Sequence, residues 1–239
     1  MGSLVTALAS WVDARQQQGR WTVRIEDIDP PREIKGAARD ILTSLEQHRL
    51  LADGAVIWQS QRSSIYDAAL NKLRSHRQLY ACTCTRKSLR ERARLDGTNR
   101  YGGWCRQANR ATDNNPLRVK VPSGVFSTVD LAGGQISACV ESETGDFIVR
   151  RRDGLYAYQL AVVADDADQR ITHIVRGNDL RDNTPRQMTL QMLLGLQTPA
   201  YLHIPLVLQP DGRKLSKQTG ASALDDACLL YTSPSPRDS

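Results

Sequence analysis

Two stretches of this sequence gather ionisable side chains in patterns suited to chemistry. Arg24-Ile25-Glu26-Asp27-Ile28-Asp29-Pro30-Pro31-Arg32 sets two basic and three acidic residues at the end of a short apolar run that two prolines stop. A carboxylate such as Glu26 at a strand end can hold an ammonium group, a charge-assisted bond worth roughly 1.5–3 kcal/mol. Far downstream, Lys214-Leu215-Ser216-Lys217-Gln218 follows the turn signal Gln209-Pro210-Asp211-Gly212. Lys214 and Lys217 on such a loop can fold over a triphosphate and stabilise the charge that grows as pyrophosphate leaves. Each stretch alone also fits a plainer role: an arginine–aspartate network bracing a turn, or a solvated loop.

A third group is Cys82-Thr83-Cys84 with Tyr101-Gly102-Gly103-Trp104-Cys105. Three thiolates plus one oxygen would complete the tetrahedron that zinc prefers; three free buried cysteines is the competing reading. Arg86, Lys87, Arg90, Arg92 and Arg94 crowd the same region. They would lower thiol pKa values and offer phosphate contacts. Tyr158 falls in the apolar run Leu155–Ala161, read as a strand in which a tyrosine is also an ordinary core residue. Arg176 ends the run Ile171–Val175, where a strand's carboxyl end can present its guanidinium to a carboxylate. His173 and His203, set in apolar strands, read as structural.

The elements that must position these groups alternate. Leu4, Val5, Leu8, Trp11 and Val12 predict a helix over 4–18, and Trp21–Ile25 a strand. A helix follows over 36–50 with Ile41, Leu42 and Leu45 inward, then a short strand at Ala55–Trp58. A further helix is capped by Ser63 or Ser64 and buries Ile65, Ala69, Leu70 and Leu73. Strand–helix alternation is the mark of a parallel α/β sheet. Between Tyr80 and Asn115 it gives way to cysteine, glycine and arginine, which reads as an inserted subdomain. Arg118–Val121, Val125–Leu131 and Phe147–Arg150 predict strands of a more antiparallel region. Alternation resumes with Leu155–Ala164 and Ile171–Val175, a helix over 185–194, and a last strand Tyr201–Leu208. The expected division is 1–79 and 151–226 for the core, 80–150 for the insertion, and 227–239 for a Ser/Pro-rich tail that is disordered or unrelated.

A chain of 239 residues can bury a sizeable core without disulfides. Five cysteines, an odd count, suit a reducing cytoplasm. The net charge of +6 favours a polyanionic partner. No apolar run reaches the roughly 18 residues needed to span a bilayer, so no membrane partner is expected.

Taken together these motifs resemble the glutamyl-queuosine tRNA(Asp) synthetases, short relatives of the glutamyl-tRNA synthetases. The resemblance runs from Gly2 to about Leu224 and rests on Arg24–Arg32, Trp58–Arg62, Cys82–Cys84, Asp146–Asp166, Ile174–Leu180 and Lys214–Gln218. It implies the Rossmann-type parallel α/β core of class I aminoacyl-tRNA synthetases with an inserted zinc-binding subdomain. It also implies an ATP-dependent ligase that forms glutamyl-adenylate and passes glutamate to the queuosine base of tRNA(Asp). By match to the family motifs, Glu26, Tyr158 and Arg176 bind L-glutamate, Lys217 contacts ATP and Lys214 and Lys217 serve catalysis. Cys82, Cys84, Tyr101 and Cys105 hold zinc in a structural role. A cytoplasmic monomer is expected.

One departure stands out. The family's first ATP signature precedes the first helix, and here only Gly2-Ser3 matches its end. The expectation is therefore a chain cut short at both ends, with its first strand missing and little adenylate formation. Three rivals remain: a fragment of ordinary glutamyl-tRNA synthetase, a non-catalytic zinc-bearing RNA-binding protein, and a nucleotidyltransferase acting on a small molecule. Transfer to tRNA(Asp) with and without queuosine separates the first, and RNA binding indifferent to ATP and glutamate the second.

Overall fold

The computed structural model describes residues 2–208. Helix α1 spans Gly2–Gln16 and strand β1 spans Arg24–Ile25. Helix α2 (Ala37–Gln47), strand β2 (Ile57–Trp58) and helix α3 (Ser63–Ser75) follow. Strand β3 is Leu79–Ala81 and helix α4 is Arg86–Asp96. Strands β4 (Leu117–Val119), β5 (Phe126–Val129) and β6 (Gln135–Ala138) lead to the short helix α5, Val140–Glu143. Strand β7 (Ile148–Arg150), helix α6 (Tyr158–Asp168) and strand β8 (His173–Gly177) precede helix α7 (Thr184–Leu194) and strand β9 (Ala200–Ile204).

The chain divides into two compact units. Among the described residues the first holds 2–58, Val175–Asp179 and 202–208; the second holds Gln59–Ile174 and Leu180–Tyr201. In the first unit β1 and β2 pair in parallel, with Arg24 opposite Ile57 and Ile25 opposite Trp58. Helix α1 lays Leu4, Ala7 and Trp11 against buried Trp21, Leu45 and Leu50, an i, i+3, i+7 stripe. The indole N–H of Trp21 donates to Ser10 Oγ at 2.8 Å, so its one polar atom is satisfied. Both Arg15 Nη atoms donate to the Asp53 carboxylate, at 2.6 and 2.9 Å, and the Trp21 backbone N–H donates to the same group at 2.8 Å. These bonds close the hairpin-like return from α2 to β2.

In the second unit β3, β4 and β7 form an antiparallel sheet in that order, and β5 and β6 form a separate antiparallel hairpin. The antiparallel character expected after residue 118 is present. The core joins Leu70 and Leu73 of α3, Val119 of β4, Leu160 of α6 and Leu190 and Leu194 of α7. Strands β8 and β9 pair with each other and run through both units.

Several expectations need correction. Tyr158 is not in a strand: it opens α6, after a single β-bridge at Tyr156 and the extended Ala157. The run Leu160–Ala164 is buried throughout, and an apolar stretch without a polar face carries no period that separates helix from strand. Ile41 points outward, at 47% exposure, while Leu45 of the same helix is buried. Helix α3 starts at Ser63 with Arg62 in the capping position, so neither serine is the cap. The region 80–115 holds a full helix, α4, which has no buried residue and sets only Leu89 against the cysteine cluster, too little apolar surface to announce it. Its signature was local: Thr85 and Ser88 form a reciprocal capping box, and Gly97 ends the helix at φ 63°. The predicted strands at 21–25, 55–58 and 201–208 are real but shorter.

Candidate functional site

Parallel β1 ends at Ile25, and the next residue, Glu26, stands where the carboxyl ends of parallel strands open. Arg24 Nη2 lies 3.8 Å from the Glu26 carboxylate, an ion pair whose acidic side is 43% exposed. The chain then turns through a single 3-10 turn, Pro30–Arg32, in which the Arg32 N–H donates to Asp29 O at 2.9 Å. The Arg32 guanidinium also pairs with the Asp29 carboxylate. Two prolines with fixed φ hold this exit with little left to freeze. The acidic run is therefore split: Asp29 braces the turn, and Glu26 faces outward from a strand end.

Arg176 lies in the same unit as Glu26, one residue before the end of β8. It is 7% exposed, and its Nε–H donates to Nε2 of His203 on β9 at 3.0 Å. The following Gly177 leaves room for a close approach, since a Cβ there would stand 2.6 Å from Asp179 Oδ1 and 3.0 Å from Leu206. Tyr158 belongs to the second unit, at the first position of α6. Lys214 and Lys217 lie outside the described residues.

The cysteine group is drawn together. Cys82 follows β3, Cys84 precedes the α4 cap, and Tyr101 and Cys105 come from the Gly-Gly loop. The three sulfurs lie within 4.8 Å of one another, with Cys84 Sγ 3.7 Å from Cys105 Sγ. The Tyr101 hydroxyl lies 3.3 Å from Cys82 Sγ and 3.9 Å from Cys84 Sγ. Zinc–sulfur bonds of about 2.3 Å at tetrahedral angles put sulfurs about 3.8 Å apart, and a zinc-bound oxygen about 3.5 Å from them. The four donors therefore fit a zinc ion, which would supply cross-linking rather than reaction chemistry.

Electrostatics suit a cation there as well. Burial, the neighbouring Cys82 and the Cys105 thiol push the Cys84 thiol up to about 11. Burial opposes ionisation of Cys105 too, but hydrogen bonds from Tyr101 and the Thr83 backbone bring it down to about 7. A divalent ion would offset the burial cost that raises the Cys84 thiol.

The surroundings lock this knot in place. The Tyr101 ring meets Trp104 edge to face at 4.8 Å and covers the Arg118 guanidinium at 3.7 Å. Asp146, 1% exposed, accepts from Nε and Nη2 of Arg106 at 2.6 and 2.5 Å, from the Tyr80 hydroxyl at 2.5 Å and from the Val121 N–H at 2.8 Å. A second buried carboxylate, Asp165, accepts from Gln59 at 2.7 Å, Arg62 at 2.5 Å and Tyr66 at 2.9 Å. It ties the segment after β2 to α6. On α4 the five basic residues remain exposed, apart from the contact of Arg92 with the Trp104 ring at 4.5 Å.

Composition and spacing had singled out Cys82, Cys84 and Cys105, but not Asp146, Asp165 or the His203–Arg176 contact. Their partners are 25 to 106 residues away, and no local pattern marks them.

Known proteins resemble this chain along most of its length. Residues 1–229 match the family described as tRNA synthetases class I (E and Q), catalytic domain. A glutamyl-Q tRNA(Asp) synthetase of Pseudomonas putida F1 is 53% identical over 216 residues, covering 90% of this chain and 70% of the relative. The one from Pseudomonas aeruginosa PAO1 is 52% identical, covering 90% and 72%. Among solved structures, the glutamate-tRNA synthetase of Elizabethkingia anophelis superposes with a TM-score of 0.79 at 24% identity. That match covers 98% of this chain and 51% of the larger one, so the chain spans about half its length. At that identity the likeness concerns the fold: an α/β class I catalytic fold with parallel strands. Among the described residues no helix is long and apolar enough to cross a membrane.

Proposed function

We infer the reaction from kinship: this chain belongs to the class I tRNA synthetases (E and Q), and is an aminoacyl-tRNA synthetase-like ligase. The proposed activity is that of its glutamyl-Q tRNA(Asp) relatives. A carboxylate oxygen of L-glutamate attacks the α-phosphate of ATP, forming glutamyl-adenylate and releasing pyrophosphate. The glutamyl group then passes to the queuosine base of tRNA(Asp), and AMP leaves. The observation that carries this reading is the identity of 53% across 90% of the chain.

Roles follow from chemistry. Glu26 takes the substrate ammonium and Arg176 takes a carboxylate, and by match to the family motifs Tyr158 is a further glutamate-binding residue. Lys217 contacts ATP, and Lys214 with Lys217 offsets charge as pyrophosphate departs. Supporting the first two roles are the positions of Glu26 and Arg176 at strand ends. Cys82, Cys84, Tyr101 and Cys105 hold a structural zinc within a subdomain inserted into the core, as their sulfur spacing supports. The exposed basic face of α4 suits the phosphate backbone of the tRNA. Reaction by this route is largely positioning, worth up to roughly 7–11 kcal/mol.

A second reading, charging of the terminal adenosine of a tRNA, draws on the shared fold of the glutamate-tRNA synthetases. The test is adenylate formation with each amino acid in turn, read as amino-acid-dependent exchange of labelled pyrophosphate into ATP. Glutamate is expected to support exchange, aspartate and glutamine are not, and Lys217→Ala should lower it at least tenfold. Exchange that ignores glutamate would contradict the proposal.

A further inference from the structure

The central strand of the antiparallel sheet carries a charged residue where burial is complete. Leu117, Arg118 and Val119 of β4 are all buried, Arg118 at 6% exposure. Successive strand residues face opposite sides of a sheet. Leu117 and Val119 join the hydrophobic core, while Arg118 pairs across to Tyr80, a member of the cysteine cluster. Its Nη1 donates to the main-chain oxygen of Asp146 at 2.6 Å, and the guanidinium lies 3.7 Å from the centre of the Tyr101 ring. The Asp146 carboxylate accepts from Arg106, Tyr80 and Val121, so Arg118 meets the carbonyl of that residue instead of its charged group. The Arg118 Nε is buried with no hydrogen-bond partner. A guanidinium buried without a carboxylate bonded to it is costly, and a structural strand residue at this place has no need of one.

We propose that Arg118 is a positioning residue for the metal: its buried charge holds the Tyr101 hydroxyl toward the three sulfurs and balances the negative charge that they bring to a zinc ion. The inference rests on the reading of Cys82, Cys84, Tyr101 and Cys105 as zinc ligands. Zinc with three thiolates and a neutral hydroxyl carries one net negative charge, and a buried net charge is stabilised by an opposite one nearby. Arg118 supplies it across the face of the tyrosine, where the ring quadrupole attracts a cation. The same contact restrains the ring. Trp104 meets it edge to face at 4.8 Å, and the Cys105 backbone N–H donates to the hydroxyl at 3.3 Å. With face, edge and hydroxyl all engaged, the oxygen is kept 3.3 Å from Cys82 Sγ. Methionine at 118 would keep the length of the side chain but bring no charge. Lysine would keep a cation near the ring without the planar fork.

The test is the zinc affinity of the purified chain and its variants, measured by competition with a chromogenic chelator. The absorption spectrum of each cobalt(II)-substituted protein and a thermal melt at saturating zinc accompany it. Arg118→Met is expected to weaken zinc binding about 10- to 100-fold, the scale of a lost outer-shell partner. Its cobalt bands should move toward those of Tyr101→Phe, and Arg118→Lys should restore most of the affinity. Should the methionine variant melt below the assay temperature, the comparison of Arg118→Gln with Arg118→Lys replaces it, with loss expected only for glutamine. Unchanged affinity and an unchanged cobalt spectrum in Arg118→Met would overturn the positioning role while leaving the zinc site in place. Equal weakening in the methionine and lysine variants, in step with a lower melt, would assign Arg118 to packing and also overturn it. A parent chain that binds neither zinc nor cobalt would overturn the zinc reading beneath it.

Discussion

Gly145 meets the carbonyl oxygen of Tyr101 so closely that a Cβ on the glycine would fall inside its van der Waals shell. Gly145 also sits at φ 68°, in the left-handed region, and the Tyr101 N–H donates to the neighbouring Thr144 O at 3.0 Å. The turn before β7 thus grips the backbone of the tyrosine whose hydroxyl faces the three sulfurs. Strain and crowding act together here, so Gly145→Ala should cost on the order of 2–4 kcal/mol. Urea denaturation checks the loss, and metal content checks its expected consequence, weaker zinc retention.

Purified chain should carry about one zinc ion, measured by elemental analysis. Cys82→Ala and Cys105→Ala should abolish that content. Tyr101→Phe removes one oxygen and leaves three sulfurs, so weaker binding by roughly 10- to 100-fold is expected rather than complete loss. Chelation should lower the melting temperature, because a zinc bound only by the folded state stabilises it.

Asp165 is fully buried and gathers Gln59, Arg62 and Tyr66. Asp165→Ala leaves the Arg62 guanidinium, with a side chain 15% exposed, without this partner. Removing one member of a buried pair costs about 3–5 kcal/mol. Asp165→Asn should cost less, since its amide oxygen still accepts from one donor. Chemical denaturation of the three proteins orders them.

What could be read from the sequence was local. The cysteine spacing found the knot, and strand–helix alternation found the parallel pair β1–β2 and the helices beside it. Proline after an acidic run found the turn at Pro30–Arg32. The misreadings have physical causes. Tyr158 opens a helix whose following residues are apolar on every side, so periodicity was silent. Helix α4 is mostly charged, with Leu89 its one side chain packed against the cysteine cluster, so its apolar signal is weak. His203 reads as a structural strand residue and is buried, but its hydrogen bond to Arg176 joins residues 27 positions apart. Only the folded pairing of β8 with β9 makes it visible.

Acid stability offers a test in the first unit. The Arg15 side chain hydrogen-bonds Asp53 and, with the Trp21 N–H, lowers its pKa from 3.8 to about 2. A lowered folded-state pKa means stability that is fully present above the unfolded value and lost as pH falls through the folded one. The contribution should therefore fade between about pH 4 and pH 2. Asp53→Asn should flatten the stability profile across that window and leave its shape above pH 5 unchanged, as followed by urea denaturation at each pH.

The group that accepts glutamate distinguishes a queuosine base from a terminal adenosine. Labelled glutamate and ATP should be given to the chain with tRNA(Asp) that carries queuosine, and with the same tRNA lacking it. At whatever rate the chain works, label should enter only the first tRNA and remain on it after the terminal adenosine is removed. Label that appears on both tRNAs, or on the terminal adenosine, would contradict transfer to the queuosine base.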